Sequence, residues 1–185
     1  MSIVKGMILP RIRFRWLYAG SVLAGATMAQ LAPAQMTPNN VLAGARVLSF
    51  LQPALSGSIT AAIVYQPGDA GSEAEARAIE HALGGGLVIG SLTLRPKRVS
   101  ADALGAFAGA KVAFLTRAIN SRLVAPAAAQ RSIVTISSDP DCARAGLCVV
   151  SISSGSKVQI TVSKAACNAA KVKFGAAFLM LVKEI

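Results

Sequence analysis

The stretch ITAAIVYQPGDAGSEAEARAIEHALGGGLVIGSLTL, residues 59–94, decides the fold. Ile59 to Tyr65 is a short apolar run with β-branched residues and no charge, the pattern of a buried strand. Gln66 to Gly71 carries Pro and Gly and reads as a turn. Ser72-Glu73-Ala74-Glu75 then opens a helix, with a hydroxyl cap and early acids that suit the helix dipole. Ala78, Ile79 and Leu83 continue it, and Gly84-Gly85-Gly86 stops it. Leu87 to Leu94 is the next strand, and Pro96 ends it. Strand, helix and strand in this order imply a mostly parallel sheet covered by helices.

The pattern extends both ways. Upstream, Val41, Leu42, Ala45, Leu48, Phe50 and Leu51 fall at roughly helical spacing behind Asn40, a candidate cap, and the run ends near Pro53. Downstream, Ser100-Ala101-Asp102 starts a short helix, and Lys111 to Thr116 is a strand. Ser121 to Gln130 is helical despite Pro126, and Ser132 to Ser137 is a further strand. Asp139 to Gly146 then reads as a loop. Val149 to Ser153, a turn at Ser154 to Ser156, and Val158 to Val162 read as an antiparallel hairpin. Ser163 caps a long final helix whose apolar stripe is Ala170, Phe174, Ala177, Phe178 and Leu181. The predicted fold is α/β: one domain over 41–185, with a mostly parallel central sheet flanked by helices, a C-terminal antiparallel hairpin and a long last helix.

The first 34 residues read differently. Lys5, Arg11, Arg13 and Arg15 form a positive start. Trp16 to Ala34 is uncharged, and Ala32-Pro33-Ala34 offers small residues where a signal peptidase cuts. This order predicts a secretory signal over 1–34, a flexible start over 35–40 and a periplasmic location. An uncleaved anchor is the alternative, although Ala, Gly, Ser, Thr and Gln insert weakly. The chain has 185 residues and a net charge of +11. Cleavage removes four of its 19 basic residues and none of its 8 acids, so a scattered positive excess remains. Such an excess favours acidic partners or anionic surfaces in general. The six aromatic residues beyond the signal sit at core-like positions rather than interleaved with basic ones, which argues against a nucleic-acid platform.

No catalytic constellation stands out. His81, the one histidine, lies in a predicted helix without a nucleophile and an orienting acid beside it. The Gly84–Gly86 run with Gly90 lacks the dinucleotide spacing, and it follows a helix where a phosphate loop follows a strand. Asp139-Pro140-Asp141 is a close acid pair, and just after a strand it reads as a turn. No metal site or cofactor is expected, because one histidine and scattered cysteines do not make a ligand set. Cys142 and Cys148 flank a short loop and read as a disulfide in an oxidising compartment. Cys167 is left over, as a buried small residue or a free thiol.

The C-terminal half carries a resemblance. SIVTISSDPD (132–141), CARAG (142–146), the hairpin ending in KVQITV (157–162), Ala165-Ala166 and KVKFGAAFLMLV (171–182) resemble the YfiR-like family of periplasmic proteins. The first helix and the strand at 59–65 also fall where that family has a helix and a strand, so the resemblance covers roughly 41–185. It implies a non-enzymatic regulator that holds an inner-membrane diguanylate cyclase inactive by binding its periplasmic sensor domain. A disulfide in the family type is tied to fold integrity, and Cys142–Cys148 falls in the matching region. A homodimer is compatible with this reading. The second reading is a periplasmic protein that binds a small ligand for transport or sensing. Polar side chains gathered at the strand ends near Gln66, Arg95, Thr116 and Ser137 would favour it.

Overall fold

The computed structural model describes residues 35–154 and 157–185; the expected signal over 1–34 lies outside them. Elements follow in the order α1 (Pro38–Val47), a 3₁₀ turn (Leu48–Phe50), β1 (Leu51–Gln52), β2 (Gly57–Tyr65) and α2 (Ala70–Leu83). Then come β3 (Leu87–Ile89), β4 (Leu92–Ser100), a second 3₁₀ turn (Leu104–Phe107), β5 (Ala110–Leu115), α3 (Ser121–Ala129) and β6 (Val134–Ser137). The chain closes with α4 (Pro140–Arg144), β7 (Val150–Ser154), β8 (Val158–Val162), α5 (Lys164–Ala170), β9 (Lys173–Phe174), α6 (Ala176–Leu179) and β10 (Lys183–Glu184).

Among the described residues eight strands form one sheet, in the order β10-β8-β7-β6-β5-β2-β4-β3, and β1 pairs with β9 separately. Strands β4, β2, β5, β6 and β7 run parallel, as the alternation of strand and helix implies. The central strands of the sheet are buried on both faces. Ala61 and Ile63 of β2 join Phe114, Ile136 and Ile152 under α1 and α2, while Ala62 and Val64 join Ala113 and Leu115 under α3 and α4. The chain runs from β2 to β4 on one side and then crosses to β5 on the other, so the order reverses between β2 and β5.

The mixed α/β fold stands, with local corrections. The expected strand at 87–94 is a hairpin, because Gly90 takes φ +58° and reverses the chain between β3 and β4. Pro96 does not end β4. It lies past the last residue paired with β3, where β4 has no second neighbour and a missing N–H costs no ladder bond. Residues 139–146 are not all loop: Asp139 accepts from the N–H of Asp141 and caps the short α4, with Pro140 in its first turn.

The largest correction concerns the long final helix, which is not formed. Ser163 caps α5 as expected, but Lys171 takes a left-handed conformation (φ 55°, ψ 37°) and ends the helix after Ala170. Phe174 then pairs with Leu51, and Gly175 starts the single turn of α6. Of the expected apolar stripe, Ala170 is buried at the end of α5. Phe174 and Phe178 are buried and form a cluster with Phe50, at centroid distances of 5.3 and 4.7 Å from Phe178. Ala177 and Leu181 are exposed.

Capping residues also shifted. Thr37, not Asn40, caps α1, and Asp69, not Ser72, caps α2. Both displaced residues are buried and hold elements together instead. Asn40 donates from Nδ2 to the Ile152 carbonyl at 3.3 Å and accepts from the Ser154 hydroxyl, fastening α1 to β7.

Candidate functional site

Ligands in open parallel sheets sit beyond the carboxyl ends of the strands, where the strand order reverses. In this chain that place is the junction of the loops after β2, β5 and β6. Thr116 follows β5, and its hydroxyl donates to the Val64 carbonyl of β2 at 2.9 Å. The Ser72 hydroxyl lies 2.6 Å from Thr116 Oγ1 and accepts the N–H of Gln66 at 2.8 Å. This chain of bonds locks the loop after β2 to the start of α2 and the end of β5. On the β6 side, Ser137 accepts the N–H of Asp139 at 3.1 Å.

Between the two loops lies a crevice of about 280 Å³ lined by Thr116, Arg117, Ser121, Ser137, Ser138 and Asp139. Ala118, also on its wall, has φ 63°, a conformation that L residues adopt at a cost of order 1 kcal/mol. Arg117 is the cation of the site. Its guanidinium lies across the first turn of α2, so close to Gly71 that an added Cβ there would fall 1.6 Å from Nη2. Behind it, Glu75 is fully buried. One carboxylate oxygen accepts the N–H of Met36, and the other accepts the N–H of Arg117 at 2.8 Å. A buried carboxylate needs such partners, and here they are the segment before α1 and the β5–α3 loop.

Of the four residues expected at the strand ends, the structure brings together Gln66, Thr116 and Ser137. Arg95 lies at the opposite end, where its Nε donates to Ser58 at 2.9 Å. The expected cation place is filled by Arg117. Glu75 was missed as well, although it falls on the same stripe of α2 as Ala76, Ile79 and Leu83, and an acid on a buried stripe is the signal that reveals it.

The expected Cys142–Cys148 disulfide is not formed in this structure: all three cysteines are free thiols and buried. The Cys142 carbonyl accepts the N–H of Leu147 at 2.9 Å and that of Cys148 at 3.3 Å, so the loop closes on itself. The Cys142 thiol donates to the Ser121 hydroxyl at 3.6 Å. Hydrogen bonding with Cys148 holds Cys142 below the usual thiol value, and burial pushes Cys148 far above it. Cys167 stands apart in α5, pushed up to about 11 by burial and by the charge of Glu184. His81 is exposed in the last turn of α2. Among the described residues no three His, Cys, Asp or Glu side chains group as a metal site, and no helix is long and apolar enough to cross a membrane.

A second concave surface lies at the far edge of the sheet. A groove of about 660 Å³ runs between β8 and the segment entering β10, walled by Lys157, Val158, Ile160, Leu181, Val182 and Lys183. Val158 is 51% exposed and Leu181 81%, as is the neighbouring Met180.

No described protein family matches the chain by sequence, and neither does any curated protein. In three dimensions the chain is similar to a crystal structure of a conserved domain protein from Vibrio cholerae O1 biovar El Tor str. N16961, at 12% identity and a TM-score of 0.60. The match covers 83% of this chain and 61% of that one, so it is the α/β fold that the two share.

Proposed function

We propose that this chain is a non-enzymatic regulator exported to the periplasm, which acts by contact on a membrane-embedded signalling protein. The resemblance of 132–182 to the YfiR-like family points to a diguanylate cyclase as that partner. The observation that supports contact is the groove beside β8. Side chains as large and apolar as Val158, Met180 and Leu181 are costly to leave together in water, and such patches mark interaction surfaces. A regulator of this kind biases its partner between two states, and a differential affinity worth about 1–3 kcal/mol changes output about 5- to 150-fold. The test is a deletion strain restored with the full gene or with a version lacking residues 2–34. The full gene lowers cyclic di-GMP and the truncated one does not. Unchanged cyclic di-GMP on deletion overturns the proposal.

A second reading has its own support in the strand-end crevice, whose Arg117, Thr116, Ser121 and Ser137 suit a small polar or anionic ligand. Arg117→Ala abolishes ligand-induced thermal stabilisation if this reading is right. A deletion strain with unaltered cyclic di-GMP but impaired response to a small solute separates the two.

A further inference from the structure

We propose that the outer edge of β8 from Val158 to Ile160 is a strand-addition site for an extended, acidic segment of a protein partner. The inference rests on the contact reading above and specifies how contact is made. On its inner side β8 is paired along its whole length, from Ser154↔Val158 to Val150↔Val162. On its outer side β10 pairs with Thr161 and Val162, a parallel register that brings the Lys183 N–H to the outward carbonyl of Ile160. Two bonds fix which way the backbone faces. Ser163 N–H donates to Val149 at 2.9 Å, toward β7, and Ile185 N–H donates to the Val162 carbonyl at 3.0 Å, toward β10. Backbone groups alternate sides along a strand. Val158 and Ile160 therefore face outward as Val162 does, and among the described residues no strand pairs with the N–H and carbonyl of Val158 or with the N–H of Ile160 there.

An open edge of this kind templates an extended chain. The chemistry of its walls selects the occupant. Lys157 and Lys183 line the groove, no Asp or Glu does, and among the described residues neither lysine has an ion-pair partner. The nearby acid, Glu184, is held by Lys164 at 3.3 Å. An incoming strand thus meets Val158 and Leu181 with apolar side chains and the two lysines with acids. A second copy of this chain would bring four lysines into one groove, and like charges juxtaposed across an interface oppose association. A lipid surface would satisfy the lysines but leave the outward N–H and C=O of Val158 unused.

The test uses the purified chain, labelled with nitrogen-15, and the end-blocked peptide Glu-Val-Thr-Val-Glu as probe. The expected result is weak binding that shifts and protects from exchange the amides of Val158 and Ile160. Binding falls about tenfold or more when Lys157→Glu and Lys183→Glu are combined. It disappears with Val158→Pro, which removes an outward donor and leaves the β7 ladder intact, so that variant melts with the parent. Equal binding by a Lys-flanked peptide, or by a probe N-methylated at its central residues, overturns strand addition. So does a dimer that buries β8, or phosphatidylglycerol vesicles that broaden the same amides and are not displaced by peptide. In the deletion strain the Val158→Pro gene fails to lower cyclic di-GMP. If it works as well as the parental gene, strand addition is wrong; if the parental gene has no effect, the contact reading is wrong, and the peptide titration decides the edge on its own.

Discussion

Replacing Glu75 with Gln isolates the buried carboxylate that joins three segments of the fold. Both of its oxygens are used, one by Met36 N–H and one by Arg117 N–H. Glutamine keeps one acceptor and presents an NH₂ group where the second stood, so one backbone N–H faces a donor in a fully buried place. A charge-assisted hydrogen bond contributes about 1.5–3 kcal/mol, and a buried donor left without a partner costs about 1–3 kcal/mol. The two estimates describe overlapping losses, so the expected destabilisation is about 3 kcal/mol. For a domain of this size each kcal/mol moves the melting temperature by about 2–4 °C, giving a fall of about 6–12 °C. Glu75→Leu strands both N–H groups and melts lower still. The assay is thermal unfolding by circular dichroism, with amide exchange of Met36 and Arg117 followed by nuclear magnetic resonance. A Glu75→Gln protein that melts within 2 °C of the parent, or a Leu variant no worse than the Gln one, refutes the reasoning.

Other outcomes follow from the same structure. Gly71→Ala pushes the Arg117 guanidinium off the first turn of α2; because the far end of a flexible side chain yields, melting changes by no more than about 3 °C while the Arg117 Nε resonance moves, and a large loss of stability would show that backbone gives way instead. The Cys142–Cys148 bond is an expectation of the sequence and not of the structure, where both are free thiols. Under oxidising conditions, peptide mapping of the purified protein without reductant finds Cys142 bonded to Cys148 and Cys167 free, the bond stabilising by roughly 2–3 kcal/mol; Cys167 in a mixed bond would contradict this. Cys167 holds its proton in the folded chain up to about 11, above the ordinary thiol value of about 8.5. Its contribution is therefore complete below about pH 8.5 and is lost as pH rises toward 11; urea midpoints measured across that window fall less steeply for Cys167→Ala.

Strand β2 was legible because a strand covered on both faces has nothing but apolar residues to show, and Ile59–Tyr65 shows little else. The stop of α2 was legible because only glycine tolerates the φ of +55° found at Gly84 without strain. The end of α5 was not, because Lys171 takes its left-handed conformation with a side chain that continues helices well. A stripe at helical spacing also survives chain breaks: Phe174 and Phe178 both reach the core, from β9 and α6. Caps were misplaced by three residues in α1 and α2, since Thr37 and Asp69 compete with Asn40 and Ser72 and tertiary partners decide between them. At the strand ends, Thr116 and Ser137 could be placed by their positions after apolar runs. Arg95 could not, because its β4 runs through Pro96 and ends at Ser100, five residues beyond it.

The small ladder between β1 and β9 has a consequence for how the chain is made. Leu51 is among the first residues of the domain to leave the ribosome and Phe174 among the last, yet each closes its backbone on the other, and Phe50 stacks on Phe178 beside them. Loop closure over so long a separation is slow, and a chain emerging vectorially cannot begin it until Phe174 has left the ribosome. The first helix therefore waits for residues about 120 positions downstream before its environment is finished. A nascent domain with this topology stays incompletely folded until β9 and α6 have emerged.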